Sequence, residues 1–231
     1  QPPLAPGQGR VARYAYGRDY HKIIGKKLRE LERWILEKSL EARAKSYVDT
    51  GPILERALAE QSGLGVIGKN GCLITREYGS WVFLSEIITT LDLTPDQPSP
   101  NYNAKSVCAN CTRCIDACPT GAIVAPGVVD SRLCISYLTI EHRDSIPPEL
   151  AAKITETQRI YGCDICQEVC PHNSARQKPT AHGELTTPKI AGDQLSPTDI
   201  QKTDQDFLAR FAGSPFMRIK KEGLSRNLNL L

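Results

Sequence analysis

Cysteine is the residue type in this chain whose spacing points most directly to chemistry. Four cysteines fall within eleven residues, and the last is followed by proline: Cys108, Cys111, Cys114 and Cys118. This C-x2-C-x2-C-x3-C-P spacing is typical of bacterial proteins that bind iron–sulfur clusters. A second stretch carries Cys163, Cys166 and Cys170, again followed by proline, and Cys134 lies between the two stretches. The spacing predicts two [4Fe–4S] clusters.

The same pattern predicts which cysteines share a cluster. In two-cluster proteins the fourth cysteine of the run binds the other cluster. The first cluster is therefore predicted to bind three cysteines of the first stretch and the last of the second: Cys108, Cys111, Cys114 and Cys170. Cys118, Cys163 and Cys166 then hold the second cluster, one ligand short, and Cys134 is its natural fourth ligand. Structural zinc is the alternative. It fits the two-residue gaps between cysteines but does not account for the whole C-x2-C-x2-C-x3-C-P run.

Two further segments carry residues that could line a polar site. Residues 10–21 interleave arginines with tyrosines, which supply stacking surfaces and hydrogen bonds, although the same residues could simply cover a domain surface. Asp49 ends a predicted short strand, residues 46–49, where the chain enters a helix. Open α/β folds place functional groups at such junctions, whereas the alternative is that Asp49 caps the helix. The position alone leaves both interpretations open.

Hydrophobic periodicity predicts the elements that must position these residues. A helix is predicted over residues 21–45 and a second over 53–62, with Thr50 as a candidate cap. A glycine-rich turn in residues 64–75 feeds a strand and lacks the Gly-Lys-Ser/Thr of a phosphate-binding loop. The apolar residues 81–88 predict a buried strand.

Polar and proline-rich stretches divide the chain. Residues 94–101 predict a linker and residues 171–197 an irregular tail, followed by helical pieces around 199–212 and 215–231. The chain does not begin with Met, so we expect a trimmed chain that is incomplete at both ends. The predicted fold is α+β: an amino-terminal α/β domain over 1–100, a ferredoxin-like double-cluster domain over 101–180 and the start of a helical carboxy-terminal region over 181–231.

Composition narrows the class of protein. The 231 residues are 40% hydrophobic and 24% charged, as in soluble globular proteins. No apolar run reaches the roughly 18 residues of a membrane span, and the first residues lack the regions of a signal peptide, so no membrane association is expected. Clustered cysteines suit a reducing compartment, which predicts a cytoplasmic protein. The net charge is +3, but the first 50 residues carry eleven basic against six acidic side chains, which permits a polyanionic partner such as RNA.

Seven segments spread over nearly the whole chain form a recognisable set. They are residues 13–21 (RYAYGRDYH), 47–56 (YVDTGPILER), 65–70 (GVIGKN), 79–84 (GSWVFL), 118–126 (CPTGAIVAP), 130–143 (DSRLCISYLTIEHR) and 159–173 (RIYGCDICQEVCPHN). In these segments the chain resembles the epoxyqueuosine reductase family.

The resemblance implies a cobalamin-dependent oxidoreductase that converts epoxyqueuosine to queuosine at the wobble position of tRNA anticodons. Electrons from an external single-electron donor would pass through the two clusters to cobalamin in the amino-terminal domain of a monomer, with Asp49 as the proton donor. A carboxyl group donates a proton near neutral pH only where its acid form is favoured, so the proposed role requires burial of Asp49 beside the corrinoid or a like charge close to it. Further cobalamin contacts are expected at Lys69, Asn70, Leu73, Leu84, Ser136 and Asp164.

The resemblance also implies that the target base is splayed from the anticodon loop into the pocket. Basic residues near the mouth are candidates for phosphate contacts, although each could be a solvated surface charge: Arg143, Lys178, Arg218, Lys220 and Lys221. Cys72 is interpreted as a small apolar wall residue. Two alternatives stay open: a corrinoid reductive dehalogenase, which pairs the same cofactors, and a ferredoxin-like electron-transfer protein, in which Asp49 would have no catalytic role.

Overall fold

The strands of the protein are short and form four small sheets. The computed structural model describes residues 4–96, 102–174, 180–186, 192–200 and 203–231. The strands in these ranges are β1 (Gly9–Val11), β2 (Ala44–Tyr47), β3 (Val66–Ile67), β4 (Leu73–Ile74), β5 (Glu86–Thr89), β6 (Ile123–Ala125), β7 (Val128–Val129), β8 (Arg159–Tyr161) and β9 (Gln194–Leu195). Three antiparallel pairs, β2–β5, β3–β4 and β6–β7, accompany a three-stranded sheet of order β8-β1-β9.

Helices supply most of the regular structure. They are α1 (Tyr20–Lys38), α2 (Glu55–Gln61), α3 (Ala104–Cys108), α4 (Arg113–Asp116), α5 (Ile135–Ile140), α6 (Pro148–Thr157), α7 (Ile165–Glu168), α8 (Pro171–Ser174), α9 (Asp204–Phe211) and α10 (Lys220–Leu228). No helix in the described ranges is both long and apolar enough to cross a membrane. The mixture of helices and strands agrees with the predicted α+β class.

The three-stranded sheet draws one strand from each of the three predicted regions of the chain. β1 runs parallel to β8 and antiparallel to β9. Its buried residues Val11, Ile160 and Leu195 join one hydrophobic core with the carboxy-terminal helices, including Phe211 and Leu224. Distant parts of the sequence therefore stabilise one another directly.

Helix α1 ends earlier than its periodicity predicts. Asp19 caps its start by accepting a hydrogen bond from the His21 backbone N–H at 3.0 Å. The chain turns extended at Ser39, and Ala44–Tyr47 pairs with β5 as a strand. The prediction of helix over 21–45 was therefore wrong at its end, because pairing with a distant strand overrides local helix propensity.

Three other boundaries also differ from the predictions. The strand predicted over 46–49 occupies Ala44–Tyr47, and the helix predicted from residue 53 starts at Glu55, with Leu54 and not Thr50 before it. The strand predicted over 81–88 is regular only over Glu86–Thr89. β2 offers four residues for pairing, so β5 can extend no further.

The carboxy-terminal helices are shorter than predicted. In place of 199–212, α9 covers Asp204–Phe211, and in place of 215–231 a 3-10 turn at 215–218 precedes α10. Lys220 has a φ of +59°, so the backbone departs from helical geometry between the 3-10 turn and the rest of α10. Parts of the predicted linker and tail, residues 97–101, 175–179 and 187–191, lie outside the described residues.

Candidate functional site

Thiols from both cysteine stretches line one pocket. These are the four predicted ligands of the first cluster: Cys108, Cys111, Cys114 and Cys170. Burial is the main effect that raises the pKa of Cys114 and of Cys170, and the charge of Cys108 raises both further. Such thiols become thiolates when a bound cation compensates the charge, as the iron of a cluster does.

Lys69 holds the loop between the first two of these cysteines. Its ammonium group donates hydrogen bonds to the carbonyl oxygens of Ala109, at 2.8 Å, and Cys111, at 3.0 Å. Ala109 has a φ of +40°, an uncommon conformation for a residue other than glycine. The structure thus places Lys69, expected to contact cobalamin, on the backbone of the first cysteine stretch.

A second group of thiols lies around the turn that starts α7. Burial raises the pKa of Cys163 to about 12, and the charge of Cys134 also raises it. The pKa of Cys166 is raised chiefly by a hydrogen bond with Cys72 and by burial, and then by the charges of neighbours that include Cys163 and Cys134. The structure therefore brings together three of the four cysteines predicted for the second cluster.

The fourth predicted ligand of the second cluster, Cys118, makes its hydrogen bonds within its own turn. Its sulfur accepts a hydrogen bond from the Ala122 backbone N–H at 3.3 Å and lies 3.7 Å from the Thr120 hydroxyl. Burial raises the pKa of Cys118, but these and neighbouring hydrogen bonds outweigh it, so the net pKa is lowered. A sulfur whose anionic form accepts hydrogen bonds is suited to metal ligation.

Cys72 is a neighbour of the second group that sequence reasoning missed. It was interpreted as an apolar wall residue, yet its thiol is hydrogen-bonded to Cys166. Asn70 accepts a hydrogen bond from the Cys72 backbone N–H at 3.2 Å and reaches the Cys166 carbonyl oxygen at 3.5 Å. Its sequence neighbours gave no signal, since the contact depends on the packing of the 68–72 turn against α7.

The arrangement of these thiols suits a cluster better than a single ion. Within the described ranges, no three His, Cys, Asp or Glu side chains are close enough together to hold one metal ion. The four thiols of the first group instead surround a space. A tetrahedral zinc site requires ligands that converge on one point, whereas a [4Fe–4S] cube separates its four thiolates.

Asp49 lies in a strained turn directly after β2. Its φ is +60°, in the left-handed region that aspartate tolerates better than most residues. Its Oδ2 accepts a hydrogen bond from the Tyr20 hydroxyl at 2.5 Å and lies 3.5 Å from His21 Nε2. Asp49 therefore does not cap α2, which excludes that interpretation. Its side chain is 59% exposed.

Aromatic rings and a second carboxylate hold the partners of Asp49. The Tyr20 ring stacks on Phe83 at a centroid distance of 4.3 Å and on His21 at 4.1 Å. Burial, and then the hydrogen bond to Asp49, raise the pKa of Tyr20, so its hydroxyl stays a donor. Asp19 Oδ1 lies 2.7 Å from His21 Nδ1 and orients the imidazole. These contacts give the Arg/Tyr-rich segment a place in the site.

The remaining expected cobalamin contacts divide between the core and the surface. Asp164 is buried; it accepts a hydrogen bond from the Arg13 backbone N–H at 2.7 Å, and burial raises its pKa. Leu73 is buried in β4, whereas Leu84 and Ser136 are partly exposed. In the chain itself, Asp164 and Leu73 are therefore part of the packed interior.

Three of the basic residues expected at the tRNA make contacts within the protein: Arg143, Arg218 and Lys221. Arg143 donates to the Arg218 carbonyl oxygen at 3.2 Å, and Arg218 forms a two-pronged ion pair with Glu141. Lys221 pairs with Asp204 at 2.8 Å, while Lys220 is exposed. Lys178 lies outside the described residues.

Known proteins match this chain over both its halves. Residues 107–173 match the family model described as a 4Fe-4S double cluster binding domain, and residues 1–50 match the model described as epoxyqueuosine reductase QueG, DUF1730. The epoxyqueuosine reductase of Gloeobacter violaceus is 49% identical over 228 residues, which cover 96% of this chain and 69% of the relative.

Solved structures give the same relationship. A crystal structure of epoxyqueuosine reductase with an epoxyqueuosine-modified tRNA-Tyr stem loop is 36% identical, with a TM-score of 0.87 over 99% of this chain. The Bacillus subtilis epoxyqueuosine reductase, described with an aspartate-bearing catalytic loop swung out of the active site, is 34% identical, with a TM-score of 0.87 over 99% of this chain. This chain spans 59% of the length of each. The chain belongs to the epoxyqueuosine reductase family, whose members are named as oxidoreductases.

Proposed function

We propose that this chain carries the reductase centre of an enzyme that converts epoxyqueuosine to queuosine at the wobble position of tRNA anticodons. The observation that carries the proposal is its likeness, over 99% of the chain, to a reductase crystallised with an epoxyqueuosine-modified stem loop. In this reaction an epoxide takes up two electrons and two protons, becomes an alkene and loses its oxygen as water. The chain must therefore supply electrons and at least one proton.

Two [4Fe–4S] clusters are proposed as the internal electron carriers, fed by an external single-electron donor. The match to a double-cluster domain supports them. The pocket with its four thiols fits the first cluster, which Cys108, Cys111, Cys114 and Cys170 would hold. Cys134, Cys163 and Cys166 lie close enough together to influence one another, and they would hold the second cluster with Cys118.

Cobalamin is proposed to bind beside Asp49. The ring of Phe83, which stacks on Tyr20 and is 36% exposed, offers an aromatic face. Two residues earlier in the chain, the buried Trp81 Nε1–H finds no acceptor among the described residues. A macrocycle with amide side chains needs both features. Leu84 and Ser136 are partly exposed and would add contacts. When bound, the corrinoid supplies the reducing centre for the epoxide.

Asp49 is proposed as the acid that protonates the departing oxygen. Asp49 lies on a turn, and the Bacillus subtilis reductase is described with a catalytic loop named after an aspartate. Tyr20 fixes one carboxyl oxygen by its hydrogen bond. Because Asp19 lies at His21 Nδ1, the other imidazole nitrogen faces Asp49. An imidazolium that has taken a proton from solvent would pass it from this nitrogen to Asp49 after each turnover.

One experiment tests the proposed function. The full-length protein, purified without oxygen and supplied with cobalamin and a strong reductant, is incubated with a stem loop that carries epoxyqueuosine. Mass spectrometry should show loss of one oxygen from the modified base. Conversion of halogenated phenols without any queuosine would instead establish a dehalogenase. Oxidation of the reduced clusters by a protein acceptor, again without queuosine, would establish an electron carrier.

A further inference from the structure

Arg159 is a buried cation that lies between the three-stranded sheet and the second cysteine stretch. It starts β8, four residues before Cys163, and only 4% of its surface is exposed. A guanidinium group at this depth loses its hydration, so its donors need protein or ligand acceptors.

The protein supplies an acceptor for only some of the guanidinium donors of Arg159. Arg159 Nη2 donates to Glu168 Oε2 at 2.7 Å, which forms an ion pair across the turn at α7. The Nε and Nη1 atoms are buried and have no hydrogen-bond partner in the part of the chain that the structure describes. Buried donors of this kind are rare in native proteins and call for an acceptor that binds there.

The charge of Arg159 reaches the sulfur of Cys163. Burial raises the pKa of Cys163, and the guanidinium of Arg159 is among the groups that oppose this effect. Cys163 also packs against the small core of Ile135, Leu138 and Ile154, so little water can screen the two groups from each other. The anionic sulfurs of a cluster held at Cys163 would lie on the same side as this thiol.

We propose that Arg159 donates hydrogen bonds through Nε and Nη1 to sulfur atoms of the second cluster and thereby raises its reduction potential. The inference rests on the proposed second cluster. Hydrogen bonds to cluster sulfurs and a nearby positive charge stabilise the more negative, reduced cluster. Glu168 balances part of the charge and orients the guanidinium group. A higher potential at the second cluster increases the driving force for electron transfer to it from the first.

Reduction potentials, followed by electron paramagnetic resonance in an anaerobic redox titration of the cluster-loaded protein, test the proposal. Arg159→Met should make the potential of the second cluster more negative and leave that of the first unchanged, with full iron content. Glu168→Gln removes the compensating charge and should shift the same potential in the opposite direction. Arg33→Met, an exposed arginine in α1, is the matched control and should shift neither. The Cys134→Ala protein identifies which signal belongs to the second cluster.

Unchanged potentials in Arg159→Met with full iron would overturn the proposal. If that variant fails to fold or to hold the cluster, Glu168→Gln decides, and an unshifted or more negative potential would overturn it. The titration needs neither tRNA nor cobalamin. A shifted potential in a protein that makes no queuosine would therefore contradict the proposed function and leave the role of Arg159 standing.

Discussion

The Tyr20 hydroxyl lies 2.5 Å from Asp49 Oδ2 and joins the first turn of α1 to the turn after β2. The two residues are 29 positions apart in sequence. Their hydrogen bond fixes the position of one carboxyl oxygen of Asp49, an exposed residue with a positive φ. It makes the aspartate a positioned group rather than a freely rotating surface charge.

Replacing Asp49 by asparagine should abolish most turnover, because the amide cannot donate the proton that the departing oxygen needs. General acids contribute roughly 10²- to 10⁴-fold to rate, and we expect a loss of that size. Queuosine formation is measured alongside cluster absorbance and bound cobalamin, both of which should be retained. Asp92→Asn, at an exposed position of the same region, is the control. Full activity in Asp49→Asn would exclude the acid role, and loss of cobalamin would show a structural one.

Tyr20→Phe should keep the ring stack and remove only the hydrogen bond to Asp49. Without the hydroxyl, the Asp49 carboxyl group is no longer held in one orientation, so turnover should fall by about two- to tenfold, as for the loss of one hydrogen bond. Queuosine formation is measured together with bound cobalamin, which should be retained. Turnover equal to that of the parent protein would show that Tyr20 acts only through packing.

Cys134→Ala should lower the iron content by about half, because one of two four-iron clusters loses a ligand. Cys72→Ala should retain all of it, although Cys72 is hydrogen-bonded to Cys166. Iron and sulfide analysis of the two variants, prepared in parallel, decides between the two cysteines. The reverse result would make Cys72 the fourth ligand.

Lys220→Ala should weaken binding of the stem loop uniformly across sequences. Each phosphate contact that is lost reduces the slope of log affinity against log salt by about 0.7 for single-stranded nucleic acid. Binding measured at several salt concentrations gives that slope. Lys38→Ala, at the end of α1, should leave the slope unchanged, and equal slopes for both variants would remove Lys220 from the interface.

Asp199→Asn should destabilise the carboxy-terminal region by about 1–2 kcal/mol. Burial raises the pKa of Asp199, but hydrogen bonds from Ser196 and Arg210 outweigh it, and the net pKa lies below the ordinary 3.8. A lowered pKa stabilises the fold above the unfolded value and loses that effect only as pH falls through the folded one. Thermal unfolding of variant and parent should therefore differ by a constant amount from about pH 8 to about pH 5.5. A difference that fades within this range would contradict the assignment.

Cysteine spacing predicts how the ligands divide between two clusters, because ligand spacing is a local property of sequence. In the structure, Cys170 lines one pocket with the cysteines of the first stretch. The neighbours of Asp49 could not be predicted in this way. They depend on the end of α1 at Lys38 and on the pairing of β2 with β5, both of which override local propensity. The hydrogen bonds from Lys69 to the carbonyl oxygens of Ala109 and Cys111 also arise from packing between distant segments. The same is true of the contact of Cys72 with Cys166.

The sheet that joins β1, β8 and β9 makes the order of synthesis matter. The strand at residues 9–11 finds its partners only after residues 159–161 and 194–195 have left the ribosome. Contacts of such separation form slowly, and the early strand edge waits unpaired while the cysteine stretches emerge. The amino-terminal strand is therefore expected to join the sheet late, after both cysteine stretches have been synthesised.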